Sequence, residues 1–303
     1  MPKMQIATTI GEVYAYVQSP AEAVRLYEGT GFTHLDFSFY RFLAPGHPFL
    51  SDSWEKLVYD AGNAAAALGF DFVQAHAPDY NPKDKTADHE AGMLAARRSI
   101  EACGMLGIPN LVIHTGITDR YMYPDGRDGF FEESRDFLLA LTPELERRNV
   151  RLCVENSSNG NTQGRFALMT AQDMNDLIAF TGHPLIGACW DTGHGNMRGA
   201  DIHEELMTLG KNLTAIHVHD NDGVRDQHLA LFLGTLDVDG LMTGLRDVGY
   251  TGYFTFEADS FMRSRWQPGR EGKPLGRPPL EVKRAALRFL YETGRSCLDA
   301  YGL

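Results

Sequence analysis

At 303 residues, with 43% hydrophobic residues and a formal net charge of −12, the chain can bury one large core, and its acidity argues against a protein that must neutralise a run of nucleic-acid phosphates. No run reaches the ~18 to 20 apolar residues of a membrane helix, and the N-terminal MPKMQIATTIGEVYAY lacks the apolar core and cleavage site of a signal peptide. Cys103, Cys153, Cys189 and Cys297 show no CxxC spacing and read as thiols in a reducing cytoplasm, so a cytoplasmic protein without membrane or nucleic-acid partners is expected.

Taken in chain order, short β-rich runs alternate with helical patterns. The runs are 4–10, 34–39, 70–76, 110–115, 150–155, 186–191, 213–219 and 253–258. Between them lie PAEAVRLYEGTG, WEKLVYDAGNAAAALG, HEAGMLAARRSIEACGMLG and RDFLLALTPELERR, and EVKRAALRFLYETGRSCLDAYG closes the chain. Eight strand-plus-helix units without an internal linker predict an α/β fold, a single (β/α)8 TIM barrel over residues 1–303. An open doubly wound sheet is the alternative, weakened because no glycine-rich phosphate fingerprint follows the first strand. The Pro/Gly/Arg-rich segment 263–279 reads as a long loop after strand eight, either a lid or a surface excursion.

In such a barrel the active site forms at the C-terminal ends of the strands. Polar residues end one apolar strand after another here: His76, His114, Glu155, Asp191, His217 with His219, and Glu257, with Asp36 on strand two. One buried polar group is ordinarily a satisfied structural one. Six or more around one mouth would repel and desolvate each other unless a cation compensates. Carboxylate and imidazole donors without an apparent cysteine suit Mn, Co, Zn, Fe or Mg. Glu155, Asp191, His217 and Glu257 come from four successive strands and form the expected metal set. Side-chain alternation puts His217 and His219 on one side of their strand, so the pattern does not choose between them; His217 is taken as the ligand.

The stretch AIHVHDNDGVRDQH (215–228), with three histidines and three aspartates, is then the end of strand seven running into its loop. Asp226 and His228 are placed to fold back over the mouth, and with His219 they form an additional metal or site group. His194 follows Asp191 on the loop after strand six. His76, His114, His194, Trp190 and Arg225 are the candidate substrate contacts. Phe37, Phe39, Tyr40 and Trp266 are further aromatic candidates in the mouth loops, although packing is the ordinary role of any single one. His34, His47, His89, His183 and His203 are read as structural.

At these residues the sequence resembles the xylose isomerase-like barrel superfamily, within it the sugar phosphate isomerase/epimerase group that includes ketose 3-epimerases and inosose dehydratase-like proteins. The motifs are QAHAP (74–78), VIHTG (112–116), CVENSS (153–158), CWDTGH (189–194), HVHDNDG (217–223) with DQH (226–228), and TFEAD (255–259). The resemblance implies that Glu155, Asp191, His217 and Glu257 hold one divalent ion, often manganese, and that His194 binds substrate. Endonuclease IV, a DNA-repair relative, holds three zinc ions with a larger set, which His76, His114, Glu155, Asp191, His194, His217, Asp226, His228 and Glu257 match by type and order. One position departs from the 3-epimerases: Asn161 stands where their second substrate-binding glutamate is expected.

The function so implied is metal-dependent isomerisation or epimerisation of a sugar or sugar phosphate, through an enediolate, with Glu155 and Glu257 as acid and base. The cofactor is a divalent ion, Mn first, with Co, Mg or Zn as alternatives; a homo-oligomer is expected. Dehydration or C-glycoside cleavage by β-elimination uses the same apparatus. Rival classes are a multi-zinc nuclease acting on abasic DNA, opposed by the acidic balance, and a barrel without catalysis.

Overall fold

The computed structural model describes residues 3–258, 261–262 and 278–303. Eight parallel strands are present: β1 Ile6–Thr9, β2 His34–Ser38, β3 Asp71–His76, β4 Asn110–Ile113, β5 Arg151–Glu155, β6 Ile186–Asp191, β7 Leu213–His217 and β8 Phe254–Phe256. They follow the order β7-β6-β5-β4-β3-β2-β1-β8, and a parallel bridge between Val218 and Phe256 joins the two ends of the sheet. The sheet is therefore a barrel ringed by helices, not an open doubly wound sheet. Parallel strands buried on both faces require nearly continuous apolar runs. All six residues of β6 and all three of β8 are buried.

Glycine punctuates the helices as the sequence suggests. Helices Trp54–Leu68 and His89–Leu106 stop at Gly69 and Gly107, which take left-handed φ of 68° and 71°, a conformation costly for residues with a Cβ. One expected helix is two: RDFLLALTPELERR is divided between Arg127–Leu139 and Thr142–Arg148. Pro143 lacks the N–H that a continuous helix would need and sits instead in the first turn of the second.

Large apolar side chains fill the layer between strands and helices, whereas Val112, Cys153, Cys189 and Ala215 form a small cluster inside the barrel. All four cysteines are buried and unpaired. At the same depth on other strands the lining is polar, with Gln74 and Thr255 0 to 2% exposed. The site residues lie two positions further along each chain segment. Among the described residues no helix is long and apolar enough to cross a membrane.

Candidate metal centre

Strand geometry builds the site from the sheet outward. Glu155 ends β5, Asp191 ends β6, His217 ends β7, and Glu257 immediately follows β8. One donor atom from each lies within 4.8 Å of the others. His217 Nδ1 stands 3.1 Å from Glu155 Oε1 and 3.4 Å from Glu257 Oε2, so this ring nitrogen faces the carboxylates. The other carboxylate oxygen, Glu155 Oε2, is buried without a hydrogen-bond partner among the described residues, 3.5 Å from Nε2 of both His76 and His114. A converging donor set of carboxylates and imidazole, one oxygen of it orphaned, fits a hard or borderline divalent ion.

Around this cluster, local structure fixes each ligand. Asp191 caps the helix Thr192–Arg198: its Oδ1 accepts the His194 N–H at 2.6 Å, and its Oδ2 lies 3.1 Å from His219 Nε2. Asn156, next to Glu155, grips the same residue, accepting the Asp191 N–H at 2.6 Å and donating to its carbonyl at 2.9 Å. The Asn156 carbonyl lies 2.9 Å from His194 Nδ1 and so accepts from a protonated Nδ1, which leaves Nε2 toward the cavity. Gly193 is required by contact alone, because a Cβ there would lie 1.9 Å from the His219 ring. Sequence reading missed Asn156 and Gly193, although both lie inside the quoted motifs CVENSS and CWDTGH.

His219 belongs to a second tier. It lies two residues past the end of β7, faces Asp191, and stacks on His228 with ring centroids 4.0 Å apart. His228 takes a left-handed φ of 46°, turning the loop so that its Nδ1 stands 2.7 Å from the Glu257 carbonyl and its Nε2 3.2 Å from Asp226 Oδ1. Asp226 in turn reaches His194 Nε2 at 3.3 Å and accepts from Asn161 Nδ2 at 3.0 Å.

The charges sort the carboxylates. Burial would raise Glu155, but facing His217 and His114 hold it well below the usual carboxylate range. Glu257 is raised, by burial first and by Glu155 next to it, against the pull of His217. Burial opposes protonation of His194, yet Asp191 and Asp226 lift it to about 10, while burial takes His114 down to about 4. Without a metal the two carboxyls thus diverge, Glu155 lowered and Glu257 raised.

Above the cluster opens a cavity of about 590 Å3. His76, His114, His194, Glu155, Glu257, Asp226 and His228 all line it. Trp190 and Arg225 do not. Trp190 is fully buried, with its ring against Gly195: Asp191 points into the barrel, so its neighbour must point out to the helices. Arg225 is ion-paired through Nη2 with Asp222, 2.5 Å away, outside the cavity. Phe37 and Phe39 stack on each other in the outer core, 4.5 Å between centroids, and only Tyr40 of the aromatic candidates in the described residues lines the cavity. None of the histidines read as structural lines it. Trp266 and the loop residues 263–277 lie outside the described residues.

Fold and cluster together define a (β/α)8 barrel with a candidate metal centre at its C-terminal mouth. The chain belongs to the family described as xylose isomerase-like TIM barrel, which matches residues 25–293. It is 27% identical over 169 residues to the uncharacterized protein y4fM of Sinorhizobium fredii, an alignment covering 55% of this chain. The chain spans 53% and 64% of the length of the two curated relatives it matches. Among solved structures it is similar to D-psicose 3-epimerase from Clostridium cellulolyticum H10, with a TM-score of 0.75 and 17% identity over 97% of this chain and 99% of that one. It is also similar to the 3-keto-D-glucoside 4-epimerase YcjR from E. coli, with a TM-score of 0.69 and 18% identity over 96% and 100%. At such identities the likeness is one of fold.

Proposed function

We propose that the protein is a divalent-metal-dependent isomerase or epimerase of a sugar or sugar phosphate. The observation that carries this reading is the convergence of Glu155, Asp191, His217 and Glu257, donor atoms within 4.8 Å, beside a cavity lined by Glu155 and Glu257 and large enough for a monosaccharide. The named sugar epimerases among the structural neighbours support the substrate class. Mn is the first choice of ion, with Co, Mg and Zn as alternatives.

A divalent ion held by these four residues would polarise a carbonyl and its neighbouring hydroxyl and stabilise the charge of an enediolate. The chain supplies the proton transfers. Glu155 and Glu257 both approach His217 Nδ1 and both line the cavity, and one removes the proton from the substrate carbon while the other returns it. His194, its Nδ1 held at the Asn156 carbonyl, offers Nε2 to a substrate oxygen. His76 and His114 extend the polar wall beside Glu155.

Exchange of the substrate α proton with deuterated solvent, followed by NMR across a ketose panel with added Mn, tests the proposal. Epimerisation, isomerisation and β-elimination all begin with that proton. Glu155→Gln and Glu257→Gln should each slow exchange by ~10²–10⁴-fold. Metal content is measured in the same preparations, and undiminished exchange in metal-loaded variants would remove these residues from proton transfer.

A further inference from the structure

Among the described residues, Asp36 is the one strand-borne carboxylate of the barrel interior that the proposed chemistry does not use. It is 1% exposed on β2, and neither carboxylate oxygen makes a hydrogen bond with a described residue. A buried carboxylate left in that condition is costly, and an apolar residue of the same size would fill the space at less cost. Its position suggests why it is there. The Gln74 and Thr9 side chains lie beside it, and the imidazole of His217 approaches with Nε2 4.0 Å from Asp36 Oδ2. His217 is turned so that Nδ1 faces Glu155 and Glu257, which leaves Nε2 on the Asp36 side of the ring.

Ring chemistry then fixes the roles. An imidazole that ligates through Nδ1 must do so with that nitrogen unprotonated, so its remaining proton sits on Nε2 and needs an acceptor. Around His217, Glu155 and Glu257 lie at Nδ1, and the stacked His76 ring, with centroids 5.5 Å apart, covers one face. Asp36 is the carboxylate that remains for Nε2. We infer that Asp36 is a positioning residue for the metal centre, accepting the Nε2–H of His217 and thereby fixing the tautomer and ring orientation that present Nδ1 as a ligand. Carboxylate partners of this kind also make the imidazole a better donor, and their loss typically weakens metal binding 10–100-fold.

This inference rests on the metal reading above, and the experiment separates the two. Mn2+ affinity is measured on the whole chain by calorimetry and by EPR of the free ion, without recourse to turnover. Asp36→Asn, which keeps the volume and removes the charge, should weaken Mn2+ binding by about 10–100-fold, while the metal-free thermal midpoint holds or rises. Thr255→Val serves as control: Thr255 is buried in the same polar layer and contacts Gln74 rather than His217, so its Mn2+ affinity should stay within about twofold of the parent. Asp36→Asn binding Mn2+ as the parent does, or equal losses in both variants, would overturn the inference and leave the metal reading standing. Failure of Asp36→Asn to fold without metal would also overturn it, since a residue acting through His217 is dispensable to the metal-free barrel. A parent protein that binds no Mn2+ would remove both readings.

Discussion

Two histidines on one strand edge, His217 and His219, show how far residue type alone can go. Both are buried, both meet carboxylates, and alternation sends both inward. Their partners separate them. His217 stands among Glu155 and Glu257, whereas His219 touches Asp191 and the stacked His228 ring. His217→Ala should therefore abolish tight Mn2+ binding, and His219→Ala, which removes only a support of Asp191, should weaken it about tenfold. Metal content after dialysis together with titration distinguishes them; equal losses would move His219 into the ligand set. The same alternation rule bears on Trp190. Once Asp191 points into the barrel the adjacent indole must face the helices, so its exclusion from the cavity was legible in the sequence. The Asn156 grip on Asp191 was not, because it joins residues 35 apart and depends on the register of β5 with β6.

At the scale of elements, the strands were legible because each is a short buried run, and that is a local property of sequence. What joins the first strand to the last helix is not local. Lys283, in the first turn of helix Leu280–Tyr301, donates to Glu12 Oε2 at 3.1 Å and to the Phe261 carbonyl at 2.8 Å, while Thr8 Oγ1 donates to Glu12 Oε1 at 2.7 Å. Lys283 and Glu12 are essentially inaccessible and 271 positions apart in the chain. The clip ties the helix to the turn Ile10–Tyr16 after β1, whose Gly11 lines the cavity, and to the segment that follows Glu257. Removing one member of such a pair strands the other charge in a dry site. Lys283→Met should cost ~3–5 kcal/mol in chemical denaturation, and Glu12→Gln combined with Lys283→Met should recover most of that loss. Additive losses in the double variant would show that packing of the lysine stem, not the paired charge, holds the closure.

For the molecule as a whole, the choice between a sugar and a DNA substrate turns on where cations stand. Among the described residues Arg41 is the one Arg or Lys that lines the cavity, against the carboxylates Asp79, Glu155, Asp226 and Glu257. A duplex laid over this mouth would bring a run of phosphates to an acidic surface on a chain of net charge −12, whereas a small sugar needs no such neutralisation and a single phosphate could be met by one guanidinium. Arg263, Arg265 and Arg270 of the Arg-rich segment 263–279 lie outside the described residues. Zinc-loaded and manganese-loaded protein should both leave abasic duplex DNA uncut at physiological salt, and any affinity for it at low salt should fall steeply as salt rises. In the same preparations at least one ketose should turn over. Arg41→Gln should lower kcat/KM by about tenfold on ketose phosphates, the worth of one charge-assisted contact, and leave free ketoses within about twofold. Efficient incision at physiological salt with no turnover across the ketose panel would transfer the chemistry of this centre from a carbon–hydrogen bond to a phosphodiester.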